Sequence, residues 1–139
     1  MTVPHLVFVY GTLMKGELHH ALLARGETAP IDTSIQHARF LRTAETLPAY
    51  DLVQIDYYPA MIPGGTLTIH GELYEIDDET LARLDELEEV PTYYERLWID
   101  LADGTRAQTY VMPRDRVRDS IPIPSGHFRL RTQPPKKSR

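Results

Sequence analysis

The sequence predicts a single α+β domain in which several strands surround a few short helices. Three observations support this prediction: a length of 139 residues, apolar β-forming runs that end at Gly or Pro, and one acidic segment with leucines at helical spacing. A chain of this length buries roughly two-thirds of the surface that its unfolded form exposes. We therefore expect one core that folds without metal or disulfides, and the absence of cysteine excludes thiolate sites and cysteine nucleophiles.

The charge is unevenly placed and separates a domain over residues 1–131 from a basic tail over residues 132–139. Five Lys or Arg and no acidic residue occur over 129–139, which leaves 10 basic and 20 acidic residues, a net of −10, over 1–128. A body this acidic repels phosphate backbones, so we expect no nucleic-acid partner. The tail has no apolar pattern to bury and is predicted to be flexible.

The N-terminal segment has no basic leader that would direct secretion. No apolar run in the chain approaches the roughly 20 residues that a membrane span needs. We therefore expect a cytoplasmic protein that does not enter a membrane.

The first half of the chain is predicted to contain a strand, a helix and a long loop. Residues 6–10 are apolar β-formers that end at Gly11, which indicates a buried strand with a turn behind it. Residues 17–25 favour a helix that is ended by the following glycine. Residues 49–65 contain two Pro and two Gly and are predicted to be a surface or pocket loop.

The second half is predicted to contain a strand, a helix and a hairpin. Residues 66–76 alternate well enough for a strand. A helix follows over residues 78–89, and Asp77 or Asp78 can cap its start. Residues 94–101 and 105–112 flank an Asp-Gly pair, which favours a tight hairpin turn.

One carboxylate of the predicted helix is directed toward the core. At about 100° per residue the leucines of this segment span one arc, which must be the buried face: Leu81, Leu84 and Leu87. Glu88 falls only about 40° from the centre of that arc, whereas the other glutamates project roughly 140° or more away. Loss of hydration there raises the pKa of a carboxylate and makes it a better proton acceptor near neutrality. The alternative is a glutamate at the fraying helix end that turns to solvent or pairs with Arg96.

The segment Tyr10-Gly11-Thr12-Leu13 after the first strand is a second candidate site. A junction of strand, loop and helix presents backbone N–H groups that suit a carboxylate or a developing oxyanion. Gly11 would let a ligand approach the main chain closely. A phosphate loop is one alternative, but Glu17 and Leu18 stand where its Lys and Ser or Thr are required. The other alternative is an ordinary tight turn.

Other side chains of catalytic type give weaker signals. The six histidines are scattered and show no metal-ligand spacing, so we expect no metal site. No serine lies in a nucleophile elbow. The eight tyrosines either line a pocket or fill the core, and a small β-rich domain favours the core.

Five motifs occur in order along the chain. They are Val9-Tyr10-Gly11-Thr12-Leu13, Pro59-Ala60-Met61-Ile62-Pro63-Gly64, Gly71-Glu72-Leu73-Tyr74-Glu75-Ile76, Leu84-Asp85-Glu86-Leu87-Glu88 followed by Tyr94-Glu95-Arg96, and Ser125-Gly126-His127-Phe128-Arg129. Together, in this order, they resemble the γ-glutamylcyclotransferase-like family and its γ-glutamylamine cyclotransferase branch. The resemblance extends from about residue 6 to residue 129.

The resemblance implies a compact, barrel-like mixed sheet with a few flanking helices and a cavity beside the loop after the first strand. It implies an enzyme that cyclises a small γ-glutamyl amine to 5-oxoproline and a free amine, with no metal or organic cofactor. By position the catalytic glutamate falls on Glu88, which helical geometry also selects. The substrate-binding loop falls on Tyr10, Gly11, Thr12 and Leu13, and Met61 and Tyr94 are possible pocket residues.

The sequence departs from the family pattern at two places. Glu89 stands where a glycine frequently follows the catalytic glutamate, and His127-Phe128 replaces an acidic-aromatic pair expected on the far wall of the pocket. The alternative to an enzyme is a non-catalytic module of the same fold that binds a small-molecule or peptide carboxylate. A desolvated, unpaired Glu88 would disfavour such an anionic ligand, which argues for the enzyme.

Overall fold

The computed structural model describes residues 4–15, 17 and 38–130. In these ranges the chain forms one α-helix, two 3-10 turns (Arg114–Arg116 and Phe128–Leu130) and eight strands: β1 (His5–Val9), β2 (Arg39–Glu45), β3 (Tyr50–Ile55), β4 (Tyr58–Pro63), β5 (His70–Ile76), β6 (Glu95–Asp100), β7 (Arg106–Val111) and β8 (Ile121–Pro122). The helix α1 (Asp78–Leu87) connects β5 to β6. The predicted α+β class is confirmed.

Two predicted features fall on residues that are not described. The helix predicted over residues 17–25 lies outside the described residues apart from residue 17, and so does the tail predicted over residues 132–139. The division into a domain and a basic tail therefore stays a prediction.

The strands form one curled, half-barrel sheet in the order β2-β5-β1-β7-β4-β3-β8, with β6 paired to β7. β1 and β4 both pair with β7 in parallel orientation, at different points along its length. Val7 of β1 lies opposite Gln108, and Met61 of β4 lies opposite Val111. The end of β1 and the start of β4 therefore lie near each other beside β7.

The prediction of a long loop over residues 49–65 is wrong. β3 and β4 form an antiparallel hairpin across this segment, with Ile55 opposite Tyr58 and Asp56 at a left-handed φ of 54° in the turn. Pro59 and Pro63 lie near the two ends of β4, where a missing N–H donor costs little. The residues between them are buried, so burial of an apolar run outweighs the turn-forming tendency of the prolines and glycines.

The other predicted strands are confirmed with altered ends. β5 begins at His70 rather than residue 66, because the preceding residues bridge elsewhere: Leu67 pairs with Tyr50, and the Ile69 N–H donates to the Thr46 hydroxyl at 3.0 Å. β6 and β7 form the predicted hairpin, and Gly104 takes a φ of 91° at its turn. Glycine adopts this left-handed conformation without steric cost.

The helix is capped and oriented as its leucine spacing predicts. The Asp77 carboxylate accepts a hydrogen bond from the Thr80 N–H at 2.9 Å and so satisfies one of the free donors of the first turn. Leu81 and Leu84 are buried in the core, and Leu87 is partly buried. No helix in the described ranges is long and apolar enough to cross a membrane.

Candidate active site

A cavity of about 380 Å³ opens between the loop after β1, the β3–β4 turn and the end of α1. Its walls bring together two predicted features that are far apart in the sequence: Glu88 and the segment 10–13. Tyr94, a predicted pocket residue, also lines the cavity. Met61, the other one, is fully buried, and its side chain is not among the described wall residues.

Glu88 is the residue that ends α1, and its N–H donates to the Leu84 carbonyl at 2.9 Å. Its side chain is largely buried, and this loss of hydration raises the pKa of Glu88 to about 7. No hydrogen bond or ion pair joins its carboxylate to another side chain in the described part of the chain. The possible partner Arg96 pairs instead with Asp85. A carboxylate in this state exchanges a proton close to neutral pH.

The Tyr10 hydroxyl holds the wall of the cavity together at the junction of β1, β4 and β7. It donates to the Tyr110 carbonyl at 2.6 Å and accepts from the Met61 N–H at 3.0 Å. Burial raises the pKa of Tyr10, and the nearby charge of Glu88 contributes to this rise. The phenol therefore stays neutral, and Met61 contributes to the site through its main chain.

Gly11 is required by packing against Pro59. A Cβ at this position would lie 2.4 Å from the Pro59 Cγ, far inside contact distance. The Gly11 carbonyl accepts from the Met14 N–H at 3.0 Å, which closes a turn after the strand. Thr12 and Leu13 continue this turn along the cavity wall. The glycine thus allows the loop to lie against the start of β4.

Tyrosines form a large part of the remaining wall, whereas the sequence favours the core for them. Six of the eight tyrosines line the cavity: Tyr10, Tyr57, Tyr58, Tyr93, Tyr94 and Tyr110. The adjacent pairs 57–58 and 93–94, each beside a proline-containing segment, are the signal that could have identified them. The Tyr94 hydroxyl donates to the Pro59 carbonyl at 2.6 Å, and the hydroxyls of Tyr58 and Tyr93 bond to each other.

Asp85 attaches the last turn of α1 to the sheet beneath Glu88. It accepts from the Tyr110 hydroxyl at 2.8 Å and pairs with Arg96, which connects the helix to β7 and β6. Burial raises the pKa of Tyr110, with a smaller contribution from its bond to Asp85. These contacts fix the end of the helix from which Glu88 extends.

The two departures from the family pattern have different outcomes. Glu89 lines the cavity with an exposed side chain and a left-handed φ of 53°, so the backbone keeps the conformation that a glycine favours. His127 lies instead in a separate cleft of about 430 Å³, where its ring stacks on His70 with 5.5 Å between the ring centroids. Phe128 is buried in the core. Neither residue is among the described residues that line the cavity of Glu88.

The curled sheet with its cavity is the fold of AIG2-like proteins. The structure of an AIG2-like protein from Mus musculus matches with a TM-score of 0.64 and 27% identity, covering 83% of this chain and 80% of that one. Residues 7–130 match the family model described as gamma-glutamyl cyclotransferase, AIG2-like. The chain therefore belongs to this family of enzymes.

Relatives with the same family name support this assignment. A Vibrio cholerae protein, whose name places it among the gamma-glutamylcyclotransferases, is 43% identical over 101 residues, covering 73% of this chain and 76% of that protein. A gamma-glutamylaminecyclotransferase of Bos taurus is 36% identical over 105 residues, covering 72% of this chain. The match spans 58% of the bovine enzyme's length.

Proposed function

We propose that this protein cyclises a γ-glutamyl amine, releasing 5-oxoproline and the free amine, with Glu88 as general base and then general acid. The observation that carries the proposal is the state of Glu88. It is a largely buried carboxylate in a cavity of ligand size, without a hydrogen-bonding partner among the described residues, and with a pKa raised to about 7. The names of the relatives support the same reaction class.

The first step requires a proton acceptor near the substrate's α-amino group. That group must lose a proton before its nitrogen can attack, and a base with a pKa close to the working pH is suited to take it. Glu88 takes this proton. The nitrogen lone pair then attacks the γ-carbonyl carbon, and the new carbon–nitrogen bond closes a five-membered ring.

The second step breaks the bond between the former γ-carbonyl carbon and the departing amine. An amine leaves poorly as an anion, so the proton held by Glu88 passes to its nitrogen as the bond breaks. Attack leaves the ring nitrogen cationic, so the regenerated Glu88 carboxylate takes its second proton and passes it to solvent or to the free amine, while the electron pair of the broken bond leaves with the amine. The loop 11–13 lies on the same cavity wall, where its backbone N–H groups suit the α-carboxylate or the oxyanion of the intermediate.

Positioning supplies the rest of the rate enhancement. Because nucleophile and carbonyl belong to one molecule, the protein has mainly to hold the folded conformer, and well-oriented intramolecular reactions reach effective molarities of about 10⁵ M or more. The tyrosine wall is held by hydrogen bonds to main-chain and side-chain oxygens, which keeps the cavity shape fixed. A rigid, uncharged wall favours one bound conformer.

The test is release of 5-oxoproline from a panel of γ-glutamyl amines, measured by mass spectrometry. Glu88→Gln keeps the size of the side chain but cannot accept the proton, so we expect kcat to fall roughly 100-fold or more while circular dichroism shows an intact fold. Glu86→Gln is the matched control, since Glu86 is an exposed residue of the same helix. Wild-type turnover by Glu88→Gln would overturn the proposed role, and ligand binding without turnover by the wild type would favour the non-catalytic module.

A further inference from the structure

The described wall of the cavity carries acidic side chains and no basic ones. Of the described residues that line it, none is Lys, Arg or His, and the ionisable ones are Glu88, Glu89 and tyrosines. Burial raises the pKa of Tyr10, Tyr94 and Tyr110, so these phenols are neutral at physiological pH. The fixed charge that such a cavity can present to a substrate is therefore negative.

The two carboxylates differ in depth. Glu88 is largely buried, whereas Glu89 is exposed and also lines the cavity, so Glu89 lies at the solvent end. No hydrogen bond or ion pair joins the Glu89 carboxylate to a described side chain. The two cations nearest to it along the chain are paired elsewhere, Arg83 with Glu79 and Arg96 with Asp85. Arg116 is bound to the carbonyls of Pro91 and Tyr93 and to Glu95. The negative charge of Glu89 is thus not neutralised by the described residues.

An aromatic surface lies at the same opening. Tyr57 lines the cavity and is 58% exposed, with the Tyr58 ring 5.3 Å away. An ammonium group is attracted both to a carboxylate and to the face of an aromatic ring. A substrate whose γ-glutamyl part lies beside Glu88 extends its departing amine toward this opening.

We propose that Glu89 is a specificity-determining residue. It selects γ-glutamyl amines whose departing amine carries an ammonium group at its distal end, as in a mono-γ-glutamyl diamine. The inference rests on the proposed cyclisation. Glu88 acts on the reacting atoms of every substrate, while Glu89 contacts only the distal ammonium. Glu89 therefore sets the preference between amines and leaves the chemical step unchanged.

The experiment compares three amines of matched chain length joined to the γ-carboxyl group of glutamate: 1,5-diaminopentane, pentylamine and 5-aminopentanoate. Their distal ends are cationic, neutral and anionic. We measure kcat/KM for 5-oxoproline release with the wild type, Glu89→Gln, Glu89→Lys and the control Glu86→Gln, which alters an exposed glutamate of α1 outside the cavity wall.

We expect the wild type to prefer the cationic substrate and Glu89→Gln to lose roughly fivefold on it, the size expected for one solvent-exposed ion pair. The neutral substrate changes less than twofold, and the loss is in KM rather than kcat. Glu89→Lys shifts the preference toward the anionic substrate, and added salt weakens each effect.

The outcomes separate this proposal from the one on which it rests. Equal kcat/KM for the three substrates in the wild type, or an equal loss on all three in Glu89→Gln, overturns the selection by Glu89 and leaves the cyclisation standing. No 5-oxoproline from any substrate with the wild type overturns both. The same shift in Glu86→Gln assigns the effect to the overall charge of the helix and overturns the role of Glu89.

Discussion

Glu72 is buried and Glu88 is largely buried, and the surroundings of these two glutamates are opposite. Glu72, on β5, is 4% exposed, and its carboxylate accepts from the Lys15 N–H at 2.9 Å and the Tyr74 hydroxyl at 3.1 Å. Its second oxygen lies 3.7 Å from the Arg129 guanidinium. Glu88 has no comparable partner in the described part of the chain.

The difference separates a structural carboxylate from the one that we propose to be catalytic. A buried charge with several donors holds its neighbours in place, and here Glu72 connects the loop after β1 with the C-terminal 3-10 turn. A buried charge without donors costs stability and instead has a raised affinity for protons. Burial by itself thus does not distinguish the two glutamates, whereas the presence or absence of hydrogen-bond partners among the described residues does.

The pH dependence of stability tests the Glu88 side of this comparison and has the largest expected effect. The folded-state pKa of Glu88 is about 7 against 4.5 for the free side chain, so the folded protein binds the extra proton between these values. Stability from this group is fully present below pH 4.5 and is lost as pH rises through about 7. A tenfold change in proton affinity is worth about 1.4 kcal/mol, so the loss reaches about 3 kcal/mol.

Glu88→Gln isolates this contribution from the other carboxylates. We expect the variant to be more stable than the wild type near pH 8 and to lose that advantage near pH 5, as measured by urea unfolding at each pH. If the free energies of unfolding of the two proteins differ by the same amount at every pH in this range, Glu88 titrates normally. The contrast drawn with Glu72 would then be wrong.

Glu72→Gln tests the structural role of Glu72 in this comparison. The amide cannot serve three donors, because its nitrogen is itself a donor and faces Arg129, so we expect the free energy of unfolding to fall by about 1.5–3 kcal/mol. Glu75→Gln is the control on the same strand, because Glu75 is half-buried and its pair with the exposed Arg39 at 3.1 Å contributes about 1 kcal/mol at most. Equal unfolding midpoints for both variants would contradict the structural role of Glu72.

The left-handed backbone of Glu89 gives a third prediction, which has the smallest expected effect on stability. Gly126, three residues before Arg129, takes a left-handed φ of 69°, whereas beside the cavity Glu89 holds a φ of 53° with a full side chain. We expect Glu89→Gly to raise the free energy of unfolding by about 0.5–1 kcal/mol, measured by thermal and urea denaturation. A destabilised variant would mean that the Glu89 side chain makes stabilising contacts that outweigh this strain.

Much of the fold follows from local pattern. The strand before Gly11, the hairpin around Asp103-Gly104 and the capped helix with Leu81 and Leu84 buried all depend on residues close in sequence, and the structure confirms them. The segment 49–65 is not the predicted loop, because burial of β4 in the sheet outweighs the turn-forming tendency of its prolines and glycines. Local propensity cannot register a neighbour that is distant along the chain.

The sequence by itself determined which carboxylate of the helix is directed inward, because helical periodicity places Glu88 beside the leucines wherever the helix packs. Only the tertiary structure decided that this carboxylate has no partner among the described residues, since Arg96 pairs with Asp85. It also decided that Gly11 serves packing against Pro59, and that six tyrosines from four separate segments form one wall. Such contacts join residues that the chain brings together only when the sheet curls, and no periodicity records them.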